Sequence, residues 1–200
     1  MRRILTTIAL LLLLTLPTFA GFSRVTQSVR PLQADAGDGT LRNMCTTTSI
    51  SEKRGYWLTA AHCIEQPTYI QGEQTETVKS DRQLDIAVLH TPKLRVRSLK
   101  LQGTAPKVGQ RVRMVGHPLG LSTQFFQGYI ASLATSIDGA RDPFMLFDMA
   151  ACGGNSGSSV VNTRDEIVSV LQIGFGRPCS TPSGGSPWAV LAKFVGQYVD

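Results

Sequence analysis

At 200 residues the chain suits one ordinary domain, or two small half-domains that share a site. Its apolar share of 42% is enough for a buried core, and Gly 19 with Pro 10 favours short strands joined by turns. The formal charge of +6 is spread over residues such as Lys53, Arg54, Arg95, Arg97, Lys100, Arg111 and Arg113, with no interleaved aromatic residues. That pattern describes a solvated surface and excludes a nucleic-acid or membrane patch.

Residues 1–20 have the layout of a signal peptide. Arg2 and Arg3 precede an uncharged apolar run over 4–16, Pro17 breaks it, and Thr18-Phe19-Ala20 places small residues where a signal peptidase reads. The run is shorter than the roughly 20 residues of a membrane span, so cleavage after Ala20 and release to a secreted or periplasmic location are expected. An uncleaved anchor is the alternative. Residues 21–40 are polar and are expected to form an N-terminal extension.

Beyond them, short β-type runs fall at 45–50, 55–58, 68–71, 86–90, 111–116, 125–133, 144–147, 158–161, 167–173 and 188–191. Helical periodicity is expected only at 192–199, where Phe194, Val195, Tyr198 and Val199 share one face. Many short strands and almost no helix predict an all-β barrel or sandwich. The basic stretch 93–110, with Gly103, Pro106 and Gly109, is the expected crossing between two halves, placing a first barrel at 41–98, the crossing itself at 99–110 and a second barrel at 111–200. The Pro-, Ser- and Gly-rich segment 177–187 reads as an exposed loop held by Cys179. Four cysteines in an exported chain predict two disulfides, with three connectivities open. A zinc site is not expected, because no C-x-x-C pair occurs and His62 and Cys63 are adjacent.

Three segments carry chemistry. Cys152-Gly153-Gly154-Asn155-Ser156-Gly157-Ser158 flanks a serine with glycines, which permit a tight turn aiming the N–H groups of Gly154 and Ser156 into one hollow. Trp57-Leu58-Thr59-Ala60-Ala61-His62-Cys63 ends an apolar strand on a histidine. Leu84-Asp85-Ile86-Ala87-Val88-Leu89 opens an apolar strand on a carboxylate, with Asp81 as a nearby rival. A serine nucleophile needs a base to take its proton, a carboxylate to orient that base, and donors for the oxyanion. His62, Asp85 and Ser156 could fill these roles, whereas His90 and His117 are assigned none. Read singly, each segment could equally be a glycine loop, a buried histidine or a turn aspartate.

Taken in order, Ala60-Ala61-His62-Cys63, Asp85-Ile86-Ala87-Val88-Leu89 and Gly154-Asn155-Ser156-Gly157 resemble the three signature regions of trypsin/chymotrypsin-like serine proteases, over roughly residues 41–199. Gly116-His117-Pro118-Leu119-Gly120 resembles the bacterial branch, with its HtrA-type and glutamyl endopeptidases. The resemblance implies two six-stranded antiparallel β-barrels with a triad in the cleft and a short C-terminal helix. It also implies disulfides Cys45–Cys63 and Cys152–Cys179, a polypeptide substrate and no cofactor. No PDZ-like second domain is read in the sequence, and a monomer is expected. Two departures stand out. Asn155 occupies the place of the aspartate that pairs with a new N-terminus in animal members, and no Ile-Val-Gly-Gly run precedes the barrel, so activation by that ion pair is not expected. Ser158 replaces a common glycine.

By the same resemblance the specificity pocket has Ala150 and Ala151 at its floor, Gly174 on its wall and Trp188 narrowing it. Val170-Leu171-Gln172 supplies no histidine for an acidic side chain. Small to medium uncharged residues before the cut are the expectation, since a cation would lie buried and unpaired. An esterase with the same triad, or an inactive homologue acting as a binding module, are the alternative readings.

Overall fold

The computed structural model describes residues 20–135, 144–174, 179, 183–185 and 188–200. The expected signal peptide lies outside them, apart from Ala20.

Helix α1 (Ala20–Ser28) leads into strand β1 (Val29–Asp35). There follow β2 (Leu41–Ser51), β3 (Tyr56–Thr59), β4 (Thr68–Ile70), β5 (Glu73–Gln74), β6 (Glu76–Asp81) and β7 (Ile86–His90). These form one curled antiparallel sheet in the order β5-β4-β1-β2-β3-β7-β6. The sheet thus has seven strands, not six. One of them, β1, comes from the segment expected to be an extension and pairs with both β2 and β4. Its sequence hides it: Val29, Leu32 and Ala34 are buried at irregular spacing, because the register slips between Leu32 and Gln33. The edge strand β6 is equally hidden, since all of its residues but Val78 are polar and most are exposed.

The second half contains β8 (Arg111–Gly116), β9 (Gln124–Thr135), β10 (Phe144–Asp148), β11 (Ser159–Val161), β12 (Ile167–Gly174) and β13 (Ser183–Gly185). They close into a barrel in the order β10-β13-β12-β11-β8-β9. Strand β13 corrects the loop reading of 177–187: it pairs with β10 and β12 and closes the barrel. A Cβ on Gly185 would lie 2.7 Å from the Phe147 ring, so a side-chain-free residue lets the strands close. The rest of that segment, apart from Cys179, falls outside the described residues.

The run 188–191, expected as a strand, is instead the start of helix α2 (Trp188–Val195). Leu191, Phe194 and Val195 are buried at helical spacing, and that i, i+3, i+4 face outweighs the strand-like composition. They pack with Val25 of α1 and with Val29, Ile50, Leu58, Ile86, Val88, Val115 and Val170 from both sheets, in a core between the two halves. A second core lies inside the barrel around Met114, Ile130, Met145 and Phe147. A third, with Leu32, Trp57, Ile70 and Leu89, lies inside the first sheet. Alternation divides β3 and β7 between two cores. Trp57 and Leu89 face one side, Leu58 and Val88 the other. That double burial explains the unbroken apolar run at Ile86-Ala87-Val88-Leu89.

Candidate active site

His62 sits in a one-turn 3-10 helix, Ala61–Ile64, directly after β3. The buried Ala60 and Ala61 bring this turn close to the sheet, and the Cys45–Cys63 disulfide ties it to β2. Cys45, His62 and Cys63 cluster within 4.8 Å, but both sulfurs are in the disulfide and offer no thiolate to a metal.

Asp85 stands immediately before β7 with φ 49, a left-handed conformation that aspartate tolerates better than most residues. One carboxylate oxygen accepts the His62 backbone N–H at 2.8 Å, and the other meets His62 Nδ1 at 2.7 Å. The carboxylate therefore fixes both the turn and the ring. The hydrogen bond to Asp85 raises the His62 pKa above its ordinary value; burial opposes this, while the charges of Asp85 and Glu65 reinforce it. The rival Asp81 does other work: one of its oxygens accepts the N–H groups of Gln83 and Leu84, each at 2.9 Å, closing the turn between β6 and β7.

Ser156 belongs to the second barrel. The turn around it is shaped by Gly154 at φ 90 and Gly157 at φ 83. A side chain at Gly157 would collide with the Thr46 carbonyl and the Thr59 hydroxyl and lie 3.0 Å from Ala60 N, so this glycine seats the serine turn against the histidine strand. The Cys152–Cys179 disulfide anchors the approach to the turn. Gly154 backs onto the segment after β8, where its Cβ would lie 2.5 Å from the His117 carbonyl. Leu119, itself at φ 55, donates its N–H to the Gly153 carbonyl at 2.6 Å. The Gly116–Gly120 segment is thus a buttress for the turn. Among the described residues, the N–H groups of Gly154 and Ser156 donate to no protein acceptor. Ser156 Oγ donates to the Gln172 carbonyl at 3.3 Å, not to His62.

Thr46 carries no sequence signal of its own, yet it links the two halves through three hydrogen bonds. Its N–H donates to the Ser156 carbonyl at 2.8 Å, its hydroxyl donates to the Gly154 carbonyl at 2.8 Å, and the same oxygen accepts His117 N–H at 3.1 Å. Its carbonyl accepts the Thr59 hydroxyl at 2.9 Å. The hint available in sequence was the run Thr46-Thr47-Thr48-Ser49, four polar residues where a half-buried strand would alternate; all four are buried.

Behind the serine, Asn155 is fully buried, and among the described residues both of its side-chain polar atoms lack a protein partner, as do the hydroxyls of Ser158 and Ser159. Gly116 leaves room for them: its Cβ would lie 2.6 Å from Ser158 Oγ and collide with Asn155 Oδ1. His117 is buried, with Nε2 3.1 Å from Thr123 Oγ1, and burial followed by the charge of Arg30 pushes its pKa down to about 4. His90 lies against Glu76 and the Tyr56 ring, far along β7 from Asp85. Of the expected pocket residues, Ala150 is half-buried after β10, Ala151 is buried in the barrel core, and Gly174 ends β12 opposite Ser183. Trp188 opens α2 rather than a strand.

The trypsin-like peptidase domain family matches residues 45–170, more than half of the chain and all three of these segments. The chain belongs to that family. Trypsin-like relatives include the "Probable periplasmic serine endoprotease DegP-like" of Halomonas elongata, 32% identical over 147 residues, covering 68% of this chain and 30% of the relative. The "Serine endoprotease DegS" of Haemophilus influenzae is 29% identical over 155 residues, covering 70% and 45%. The chain thus spans less than half the length of these relatives. Among solved structures, the HtrA-type protease AlgW with a tripeptide superposes with a TM-score of 0.73 over 90% of this chain and 63% of that one, at 22% identity, a likeness of fold. The two curled sheets are therefore the chymotrypsin-like double barrel.

Proposed function

We propose that this chain is an exported serine endopeptidase in which His62, Asp85 and Ser156 form the catalytic triad. The observation that carries the reading is the two-point grip of Asp85 on His62, through Nδ1 and the backbone N–H, beside a serine turn with two unspent N–H groups. In the reaction, Ser156 Oγ leaves the Gln172 carbonyl, passes its proton to His62 Nε2 and attacks the substrate carbonyl carbon. Asp85 holds the tautomer with the proton on Nδ1 and stabilises the imidazolium. The N–H groups of Gly154 and Ser156 receive the oxyanion, a contribution worth about 3–4 kcal/mol per donor in related sites. His62 then protonates the leaving amine, and water, deprotonated by the same ring, releases the acyl group.

The pocket before the cut takes small to medium uncharged side chains, as Ala150 at its floor offers no countercharge. The periplasmic assignments in the relatives' names agree with the signal-like leader. No helix among the described residues is long and apolar enough to cross a membrane.

Titration with a serine-reactive phosphonofluoridate tests the reading, with Ser156→Ala as control. Stoichiometric labelling of Ser156, peptide-bond cleavage, and a roughly 10⁴–10⁶-fold loss of turnover in Ser156→Ala are expected. Absence of labelling and cleavage in the folded protein would leave the inactive binding module as the better description.

A further inference from the structure

Resting on the triad reading, one more residue enters the machinery. Asp85 is left-handed, and its neighbour Leu84 is held at both ends by side chains. Asp81 takes the Leu84 N–H from within the same turn. The Leu84 carbonyl accepts Gln172 Nε2, from a strand of the other barrel. The main-chain carbonyl of Gln172 is also the acceptor of Ser156 Oγ. One buried residue on β12 therefore touches the peptide that carries the carboxylate and the hydroxyl of the nucleophile.

We propose that Gln172 is a positioning residue that spans the cleft, its amide holding the Leu84–Asp85 peptide of the first barrel while its carbonyl parks Ser156 of the second.

Placing a primary amide here has a cost. Gln172 is 3% exposed and sits in the barrel strand after Val170 and Leu171, where an apolar side chain of equal volume would need no partner. The amide reaches out of its own barrel to a carbonyl one residue before Asp85. Because Asp85 grips His62 at two points, any drift of this peptide is transmitted to the imidazole. A displacement of about 1 Å in such a constellation costs about 10²-fold in rate.

The test is Gln172→Met, which keeps the length and packing but cannot donate to Leu84, with Gln172→Ser carrying the same test should the methionine variant not fold. A roughly 10–100-fold fall in kcat with KM within twofold is expected. The charged groups around the His62 ring are Asp85 and Glu65, and Glu65 is paired with Arg82, so a loosened Asp85 moves the His62 pKa down. NMR titration of the imidazole should show that downward shift, and the acid limb of kcat/KM should follow it. Wild-type kcat together with a wild-type His62 titration in the variant would overturn the proposal. So would a fall in kcat with the His62 pKa unmoved, which marks a merely structural role. The NMR titration needs no turnover, so failure of the protease reading, seen as absent labelling of wild-type Ser156, stays separate from failure of this one.

Discussion

On the first-barrel side of the cleft, the His62–Asp85 pair is assembled by side chains: one carboxylate closes on a ring nitrogen and a backbone N–H, and Asp81 closes the adjoining turn. On the second-barrel side, Ser156 is aimed by main chain. Two glycines with positive φ shape its turn, carbonyls take the hydrogen bonds, and the buried polar side chains behind it, Asn155, Ser158 and Ser159, lack protein partners among the described residues. Charge must be placed where it acts, so the first side is built from polar side-chain contacts that can shift a pKa. The proposed oxyanion site needs N–H groups left without acceptors, and the turn shaped by these glycines leaves those of Gly154 and Ser156 without a protein acceptor among the described residues.

The sharpest way to break this contrast is to remove the charge on the first side and leave the shape. Asp85→Asn should fold and still accept the His62 N–H, yet lose roughly 10⁴-fold in kcat, because the amide favours the wrong tautomer. Its pH profile carries the sign. On the proposed mechanism His62 must be neutral to act as base, and Asp85 raises its pKa above the ordinary value, so wild-type kcat/KM should fall as pH drops through that raised pKa. In Asp85→Asn the raising influence of Asp85 goes, leaving burial opposed only by the smaller effect of Glu65, so the acid limb should move to lower pH. Steady-state kinetics from acid to neutral pH check both, and an unmoved limb would detach His62 from Asp85.

The second side depends on Thr46. Thr46→Val keeps the shape but leaves the part-buried Gly154 carbonyl and the buried His117 N–H without their side-chain partner, the buried N–H alone costing about 1–3 kcal/mol. Urea unfolding should show a lower midpoint with unchanged slope, and kcat should fall because the turn carrying Ser156 relaxes. The smallest effect is expected at Ser159→Ala. Its hydroxyl is buried without a partner, so stability should hold within about 0.5 kcal/mol or rise. If Ser159→Ala cost as much as Thr46→Val, the contrast between anchored and unanchored polar groups would be wrong.

Several elements were legible from sequence because their signals are local. The strand 86–90 coincides with β7, and 111–116 with β8, since each is bounded by turn chemistry and filled with buried apolar residues. The cysteine pairs Cys45–Cys63 and Cys152–Cys179 agree with what the family resemblance implied. Strands β1, β6 and β13 were not legible. They are held by partners distant in the chain, and polar or glycine residues at an edge or a closing seam carry no periodicity of their own. Helix α2 was anticipated at 192–199 but begins at Trp188, because the face that decides it is set by the core between the barrels.

The sequence by itself determined the chemistry on offer: a histidine ending one apolar strand, an aspartate opening another, and a serine between glycines, in an order specific enough to mark the family. The resemblance pointed to Asp85 over its rival Asp81, and the tertiary structure gives the contact: Asp85 meets the ring while Asp81, four positions earlier, closes the turn between β6 and β7. Tertiary structure also decided the parts played by Thr46 and Gln172, whose contacts cross from one barrel to the other. The physical reason is range. Periodicity and turn chemistry act between neighbours in the chain, whereas a hydrogen bond between barrels exists only once both have closed and water has been excluded from the seam between them.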